Sequence, residues 1–451
     1  MRPVVIIGGG LAGSEAAWQA ANRGAKVTLY EMRPKRMTEA HRTGLLAELV
    51  CSNSFKSDSL DNANGLLKAE LRMLNSLLVG AAVRARVPAG SALCVDRQAF
   101  ATEVTQAVEG HPNIAVVREE ARRPLEDAVN VLAPGPLASP AMSGTLENLV
   151  GSGNLFFYDA VSPIVEADSI DMSEAYRSSR YDKGESTYVN LPLDREQYLG
   201  FLKELQAAEV LPRREFEEDR FFSACMPIEE VAKRGDETLA HGCMKPVGLV
   251  DPRTGCTSHA VVQLRPENVA CTHYGIVGFQ TRLKYGEQER VFRMLPGLEN
   301  ARFARFGSIH RNTYICGPAV LNATLQHKRL GSVFLAGQIT GAEGYVAAVA
   351  TGFLAGTNAA REAGGNTCLV PPAETIIGGL VRYVSQASRV DFRPTNTNFG
   401  LVPPLGVTVR DRSRRNLLLS ERSTKILQSW IEGNGLVAGR DTVVNASGVL
   451  S

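Results

Sequence analysis

Residues 4–31 run through apolar, glycine-rich and alanine-rich segments in an order typical of one structural unit. The apolar run Val4–Ile7 precedes the glycine-rich stretch Gly8–Gly13, and an alanine-rich segment then leads to a second apolar run at Val27–Glu31. A strand, a turn, a helix and a second strand in this order form a βαβ unit. The pattern therefore predicts an α/β fold with a parallel sheet.

The glycine-rich stretch has the spacing of a nucleotide-binding turn. Gly8, Gly10 and Gly13 match G-x-G-x-x-G, which combines a tight turn, close approach of the backbone to a pyrophosphate and close packing of helix on strand. Glu31 follows at the end of the second strand, where a carboxylate can accept hydrogen bonds from ribose hydroxyls. The sequence therefore predicts a Rossmann-like dinucleotide site, made by Gly8, Gly9, Gly10, Leu11, Ala12, Gly13 and Glu31.

A second glycine-rich unit lies about 320 residues downstream. It comprises a strand from Val333 to Gly337, a loop containing Gly337, Gly341 and Gly344, and a helix from Tyr345 to about Ala360. The two units predict one nucleotide-binding domain interrupted by a large insertion, and FAD suits the reach between them. The alternative is that this helix only packs small residues against the sheet.

Other segments complete the predicted organisation. A strand at Val131–Ala133 would continue the parallel sheet, whereas a helix at Leu193–Leu211 and strands at Ala260–Leu264 and Tyr274–Phe279 predict an α+β insertion domain. We divide the chain into an FAD-binding domain at 1–150 and 326–435, with a C-terminal helix, an insertion domain at 151–325 and a flexible tail at 436–451.

Composition excludes several classes of protein. With 44% hydrophobic and 21% charged residues, the 451-residue chain is neither disordered, collagen-like nor a coiled coil. Its net charge of +2 means that any nucleic acid must be held by local basic patches. No signal peptide precedes Val4 and no apolar stretch reaches 18 residues, so we expect a cytoplasmic protein without membrane contact. The eight cysteines and seven histidines form no metal-binding motif.

Longer strings place these features in one family. Residues 5–17, 30–34, 50–54, 244–255 and 344–356 closely resemble the folate- and flavin-dependent tRNA uracil-5-methyltransferases, and the resemblance extends from residue 1 to about 430. It implies methylation of C5 of the T-loop uridine (position 54) of tRNA. Methylenetetrahydrofolate would donate the carbon, reduced FAD the hydride, and NAD(P)H would recharge the flavin. No obligate protein partner is implied.

Methylation at C5 of uracil requires a nucleophilic residue such as cysteine near the base. C5 is a poor nucleophile until a thiolate attacks C6 and generates an enolate. The resemblance points to Cys51 and Cys225 for this chemistry. We predict that Cys225 attacks C6 while Cys51 handles the one-carbon unit or the C5 proton, and the reverse assignment stays open. The other six cysteines are predicted to be inert.

Basic residues supply candidates for the two anionic ligands. For the acidic tail of folate we consider Arg282, Lys284, His310 and Arg311. For RNA phosphates we consider the basic residues Arg33, Lys35 and Arg36 near the first unit and Arg412, Arg414 and Arg415 near the C-terminal helix. In each case the alternative is a solvated or ion-paired surface charge.

The sequence differs from the family pattern at one position of the nucleotide site, and three other functions are compatible with parts of the sequence. Where the family is expected to have Ala-Thr-Gly, this chain has Ala133-Pro134-Gly135, so one FAD contact should differ. An NAD(P)H-dependent flavin oxidoreductase of a small molecule would explain both glycine units without the cysteines. The related flavoprotein that modifies wobble uridines needs a long helical C-terminal extension, for which 451 residues leave no space. A non-catalytic tRNA-binding flavoprotein is the third alternative.

Overall fold

The computed structural model of the chain describes the backbone of residues 1–151, 155–182, 187–211, 226–266, 271–389, 392 and 394–436. Side chains are described in the same ranges except at 155–161, 182 and 308–312. The strands of this part of the chain are β1 Val4–Ile7, β2 Val27–Tyr30, β3 Ser54–Ser57, β4 Arg86–Val87, β5 Ala92–Val95, β6 Ile114–Val117, β7 Val129–Leu132, β8 Leu155–Val161, β9 Ile164–Glu166, β10 Tyr176–Arg177, β11 Val189–Leu193, β12 Ala260–Pro266, β13 His273–Ile276, β14 Phe303–Arg305, β15 Ser308–Ile315, β16 Val333–Leu335, β17 Ala342–Glu343 and β18 Thr395–Asn396.

The α-helices of the same part of the chain are α1 Leu11–Asn22, α2 Ala63–Met73, α3 Leu77–Arg84, α4 Arg97–Glu109, α5 Pro140–Val150, α6 Arg195–Ala207, α7 Ile228–Ala232, α8 Thr238–His241, α9 Tyr285–Phe292, α10 Gly317–Val320, α11 Tyr345–Ala363, α12 Ile376–Gln386 and α13 Arg412–Gly433. None of these helices combines the length and the apolar character that a membrane crossing requires.

A five-stranded parallel sheet with the order β16-β7-β1-β2-β6 forms the centre of the first domain. Every residue of β1, β7 and β16 is buried, as expected of parallel strands that are covered on both faces. The predicted βαβ unit and the predicted strand after it are confirmed. Two distant parts of the sequence, near residues 4–132 and 333–335, therefore build one sheet.

Helices α1 and α11 pack against each other at unusually close range. A Cβ atom added to Gly352 or Gly356 of α11 would lie 2.3 Å from the carbonyl oxygen of Ala12 or Ala16 in α1. Glycine at these positions lets the two helix backbones touch. The small residues of α11 thus have the packing role that was considered as an alternative.

The second domain is a six-stranded antiparallel sheet with the order β10-β11-β12-β13-β9-β14, covered by α6–α9. The predicted strands near residues 260 and 274 are confirmed as β12 and β13. The predicted helix at Leu193–Leu211 begins later than expected, because Leu193 pairs with Ala260 as the last residue of β11. Asp194 then starts α6 with a capping box that includes Gln197.

Two antiparallel strands connect the domains. The chain leaves the first domain along β8 and returns along β15, with Ser308 opposite Val161 and Ile315 opposite Leu155. Most buried apolar residues belong to two large cores, one from Val4 to Val150 and from Ile315 to Ile431, and a second from Val165 to Ala301. The fold is therefore a Rossmann-like domain interrupted by an α+β domain.

Candidate functional site

A cleft of about 1150 Å³ opens at the C-terminal edge of the five-stranded sheet. Segments at or after the end of each of the five strands border it, at 7–12 without Gly9, 30–33, 119–121, 133–139 and 337–338. Open α/β sheets bind their ligands at this edge. Further lining comes from Val50, Cys51, Tyr345 and Ala348, so both glycine-rich units face one cavity.

Two long helices point uncapped N-termini at this cleft. α1 begins after Gly10 and α11 after Gly344, and neither start has a side-chain capping hydrogen bond. Each of the other described helices of eleven or more residues has such a cap, from Asn62, Asp96, Ser139, Asp194, Thr375 or Asp411. Free amide groups and the positive end of a helix dipole attract anionic or electron-rich groups. The two exceptions therefore mark where such a ligand would bind.

The three glycines of the first turn differ in what surrounds them. A Cβ atom on Gly8 would lie 2.1 Å from the Ala133 carbonyl oxygen, and one on Gly13 would lie 1.8 Å from the Gly8 carbonyl oxygen. A Cβ atom on Gly10 would meet nothing within 4 Å. Gly8 and Gly13 are thus required by the fold, whereas Gly10 leaves an open approach to the backbone. This arrangement fits the pyrophosphate of a dinucleotide such as FAD.

The predicted FAD-binding residues divide into two groups by position. Those that line the cleft are Gly8, Gly10, Leu11, Ala12, Glu31, Gly337 and Tyr345. The remaining glycines lie behind the lining or at a helix start: Gly9 against Leu46 and Glu31, Gly13 against Gly8, Gly341 against Phe392, and Gly344 at the N-cap of α11. Pro134 and Gly135, the departure from the family pattern, also line the cleft.

Glu31 borders the cleft but is already engaged by protein donors. Its Oε2 accepts from the Gly9 amide at 2.9 Å, and its two oxygens accept from the Arg33 amide, Nε and Nη2 at 2.9 to 3.2 Å. Burial alone would raise the pKa of Glu31, but these hydrogen bonds and the Arg33 charge hold the pKa below its usual value. The carboxylate therefore stays ionised, and a ribose hydroxyl would have to share it with these donors.

Cys51 lies in the cleft on a loop that is held from three sides. The Tyr345 hydroxyl accepts hydrogen bonds from the amides of Cys51 and Ser52, both at 2.9 Å. Arg305 of the second domain donates to the carbonyls of Val50 and Cys51 at 3.1 and 3.2 Å. Burial and the neighbouring Cys51 raise the pKa of Tyr345, which keeps its hydroxyl protonated at neutral pH. The position of the thiol thus depends on both domains.

A third contact joins the Cys51 loop to the second sheet. The buried Asn53 side chain donates to the Pro266 carbonyl at 2.8 Å and accepts from Arg265 Nε at 2.9 Å. Cys225, the other predicted catalytic residue, lies outside the described residues. The described cysteines form no disulfide bond with one another, and the described residues contain no group of three or more His, Cys, Asp or Glu side chains suited to a metal ion.

The first basic cluster needs a correction. Arg33 is only 2% exposed and pairs with Glu31 and Glu48, so it supports the cleft from inside and is not positioned for RNA phosphates. Lys35 and Arg36 are on the surface, but each pairs with a glutamate that borders the cleft, Glu119 or Glu120. The other cluster, Arg412, Arg414 and Arg415, is exposed at the start of α13.

The folate candidates are also dispersed. Arg282 is 2% exposed in the second domain, away from the residues that line the cleft, and its Nη2 donates to the Leu211 carbonyl. This burial argues against contact with an acidic ligand tail. Lys284 is exposed and pairs with Glu209. His310 and Arg311 lie on β15, and their side chains are outside the described part of the structure.

Several lining residues were missed by the sequence reasoning. Glu119 and Glu120 follow β6, Ser139 lies beyond β7, and Gln338 follows β16. The rule that ligands bind at the C-terminal ends of parallel strands would have found them, had β6 been recognised. The sequence gives no indication that Arg305 belongs to the site, because its contact with Cys51 joins distant parts of the chain.

Comparisons with known proteins agree with this architecture. A family model described as glucose inhibited division protein A matches residues 3–367. The methylenetetrahydrofolate–tRNA-(uracil-5-)-methyltransferase TrmFO of Moorella thermoacetica is 52% identical over 432 residues, 96% of this chain and 99% of that protein. TrmFO of Aquifex aeolicus is 52% identical over 96% of this chain and 97% of its own length. A solved structure of Aquifex aeolicus GidA superposes with a TM-score of 0.71 at 17% identity, over 97% of this chain and 74% of that one, which shows a shared fold.

Proposed function

The chain belongs to the glucose inhibited division protein A family and, within it, to the methylenetetrahydrofolate–tRNA-(uracil-5-)-methyltransferases, and from this premise we propose what it modifies and with which reductant. It is an enzyme of folate-dependent methylation of uracil in tRNA. The target we propose is C5 of the T-loop uridine at position 54. FAD, recharged by NAD(P)H, is the proposed reductant.

The observation that carries this proposal is the pair of uncapped helix starts beside Cys51 in one cleft. The N-terminus of α1, approached over the bare backbone of Gly10, would hold the FAD pyrophosphate. The N-terminus of α11 would face an electron-rich part of the same cofactor. When bound there, FAD would supply the hydride that completes the methyl group.

The remaining steps belong to the chain's own residues. A thiolate must add to C6 of uracil, which places negative charge on the C5–C4–O4 system and makes C5 nucleophilic. We assign this attack to Cys225 and assign the one-carbon unit or the C5 proton to Cys51, whose loop is held in the cleft. C5 then bonds to the one-carbon unit and gives up its proton, the bond from that carbon to its carrier nitrogen breaks, and the hydride completes the methyl group. Expulsion of the cysteine thiolate from C6 restores the C5–C6 double bond.

Protein groups also prepare this site for a bound base. Arg305 and the Tyr345 hydroxyl fix the backbone on both sides of Cys51, so the thiol needs little reorganisation when substrate enters. Because Arg305 lies on the second domain, the relative position of the two domains sets where this thiol stands. His310 and Arg311 remain proposed contacts for folate, and Arg412, Arg414 and Arg415 for RNA.

The test is transfer of a labelled one-carbon unit from methylenetetrahydrofolate to an unmodified tRNA transcript in the presence of NADPH. A transcript with cytidine at position 54 is the matched control. Label in the first RNA alone would support donor, acceptor and position together. Label in neither RNA, despite a flavin that NADPH reduces, would favour a small-molecule oxidoreductase instead.

Cysteine variants divide the chemistry further. Cys225→Ala and Cys51→Ala should both retain flavin and both fail to methylate tRNA. Cys256→Ala is the control, because Cys256 is exposed and lies outside the cleft. Full activity of the Cys225 or Cys51 variant would remove that residue from the mechanism.

A further inference from the structure

An exposed tyrosine at the edge of the second sheet is held in an uncommon backbone conformation. Tyr181 follows β10 and is 63% exposed. Its φ of 58° lies in the left-handed region, which a bulky residue adopts only where its surroundings require it. One such constraint is a 2.8 Å hydrogen bond from the Tyr181 amide to the Gly248 carbonyl. The ring is therefore displayed by a fixed backbone.

Gly248 also supports the ring itself. A Cβ atom at this position would lie 2.9 Å from carbon atoms of the Tyr181 ring, closer than side-chain carbons approach one another. Only glycine lets the ring lie directly against the backbone here. Since one side of the ring is supported while the residue as a whole stays 63% exposed, the remaining surface is open to a partner.

Arg180, the residue before Tyr181, places a positive charge near this ring. Arg180 Nε donates to Gln263 at 2.9 Å, and its Nη1 and Nη2 donate to the carbonyls of Val247 and Lys245 at 2.5 and 2.9 Å. These three acceptors are uncharged, so they fix the guanidinium without neutralising it. Lys245 is itself exposed. An exposed aromatic ring near a fixed guanidinium, with an exposed lysine on the same segment as Gly248, is an arrangement that can stack a nucleobase and bind the adjoining phosphates.

The residue before Tyr181 is hydrogen-bonded to the strand that contacts the Cys51 loop. Gln263, which accepts from the residue before Tyr181, is two residues from Arg265 on β12, about 7 Å along the strand. Arg265 donates to Asn53, two residues after Cys51. A nucleic acid that reaches the cleft past this edge would pass the tyrosine.

We propose that Tyr181 is a stacking platform for an unpaired base of the tRNA substrate. Gly248 orients the ring, and Arg180 and Lys245 contact the neighbouring phosphates. The inference rests on the proposed function, because a T loop presents unpaired bases, whereas paired bases hide their faces within the stem.

The test compares two RNAs and two variants. Tyr181→Asn removes the ring but tolerates the left-handed backbone, and Tyr181→Phe keeps the ring. The probes are a T-arm hairpin and the same stem as a blunt duplex without a loop. We expect Tyr181→Asn to weaken hairpin binding about tenfold or more and to leave duplex binding unchanged, because stacking on an aromatic ring contributes this much per base. Tyr181→Phe should bind both RNAs like the parent protein.

Three results would overturn the platform. They are unchanged hairpin affinity in Tyr181→Asn, equal weakening for hairpin and duplex, or a loss in Tyr181→Phe as large as in Tyr181→Asn. Flavin content and melting temperature of each variant show whether the fold is retained. Methylation of tRNA by the parent protein is measured separately. If Tyr181→Asn loses affinity for the hairpin alone while the parent protein methylates no tRNA, the stacking role of Tyr181 is supported and the proposed function is rejected.

Discussion

Replacing Gly10 with valine should remove the flavin and leave the fold intact. A Cβ atom at Gly10 meets no protein atom within 4 Å, and the φ of −75° there suits valine. The substitution should lower the free energy of unfolding by only about 1 kcal/mol, because valine is a poorer N-cap residue than glycine. The valine methyl groups instead occupy the space through which a pyrophosphate would reach the amides of α1.

The expected loss of cofactor affinity follows from those amides. Hydrogen bonds to a charged group contribute about 1.5–3 kcal/mol each, so displacing the pyrophosphate from one or two of them should cost about 3 kcal/mol. That corresponds to an affinity loss of roughly a hundredfold or more. Gly13→Val is the contrasting variant, because its Cβ atom would lie 1.8 Å from the Gly8 carbonyl oxygen. Relieving this overlap forces α1 from the sheet and should cost about 3 kcal/mol or more.

The assay measures bound flavin by visible absorbance after purification and thermal unfolding of the flavin-free proteins. Gly10→Val should be colourless yet melt close to the flavin-free parent protein. Gly13→Val should also be colourless but melt at a clearly lower temperature. A Gly10→Val protein with a full complement of flavin, or one destabilised as much as Gly13→Val, would refute the assignment of the pyrophosphate to this turn.

Three further changes test the rest of the site. Arg305→Met should slow methyl transfer in a single turnover at least tenfold and leave the flavin content unchanged, because the Cys51 loop loses its hydrogen bonds from the second domain. The loosened loop should also let an alkylating reagent modify Cys51 faster. Unchanged rates of methyl transfer and of Cys51 alkylation would contradict this. Burial raises the pKa of Glu31, but the Arg33 hydrogen bonds and charge outweigh this and hold the pKa below its usual value, so the ionised carboxylate stabilises the fold at neutral pH. Glu31→Gln should therefore be less stable than the parent at pH 7 by thermal melting, and the difference should shrink as the pH falls through and below the usual pKa of a glutamate. Gly356→Ala should lower both melting temperature and flavin content, because its Cβ would lie 2.3 Å from a backbone oxygen of α1, and a protein that melts like the parent would show that the helices can separate freely.

The parts of the fold that sequence predicted are those with a strong local pattern. The strand, turn and helix at each glycine-rich unit appear where expected, because fully buried strands leave continuous apolar runs. The start of α6 was misjudged because Leu193 suits either a helix or a strand, and only its pairing with Ala260 decides. The order of the sheet depended equally on distant pairings, among them that of β6.

The same division applies to the site. The glycine turn is a local motif, so its place in the cleft was predictable from spacing. Arg33 looked like part of a surface charge cluster because its burial and its pairing with Glu48, 15 residues further on, arise only after the chain folds back. Arg305 and the Cys51 loop are more than 250 residues apart, and no local pattern announces such a contact.

The interrupted first domain also determines when its cleft can form during synthesis. β16 and α11 leave the ribosome about 330 residues after β1, which at roughly 5–20 residues per second is a delay of about 15–65 s. Until then the alanine-rich face of α1 and the outer edge of β7 lack their covering elements. The nascent chain must protect this apolar surface while the second domain is made, and it can capture a cofactor between the two helix starts only after Tyr345 has emerged.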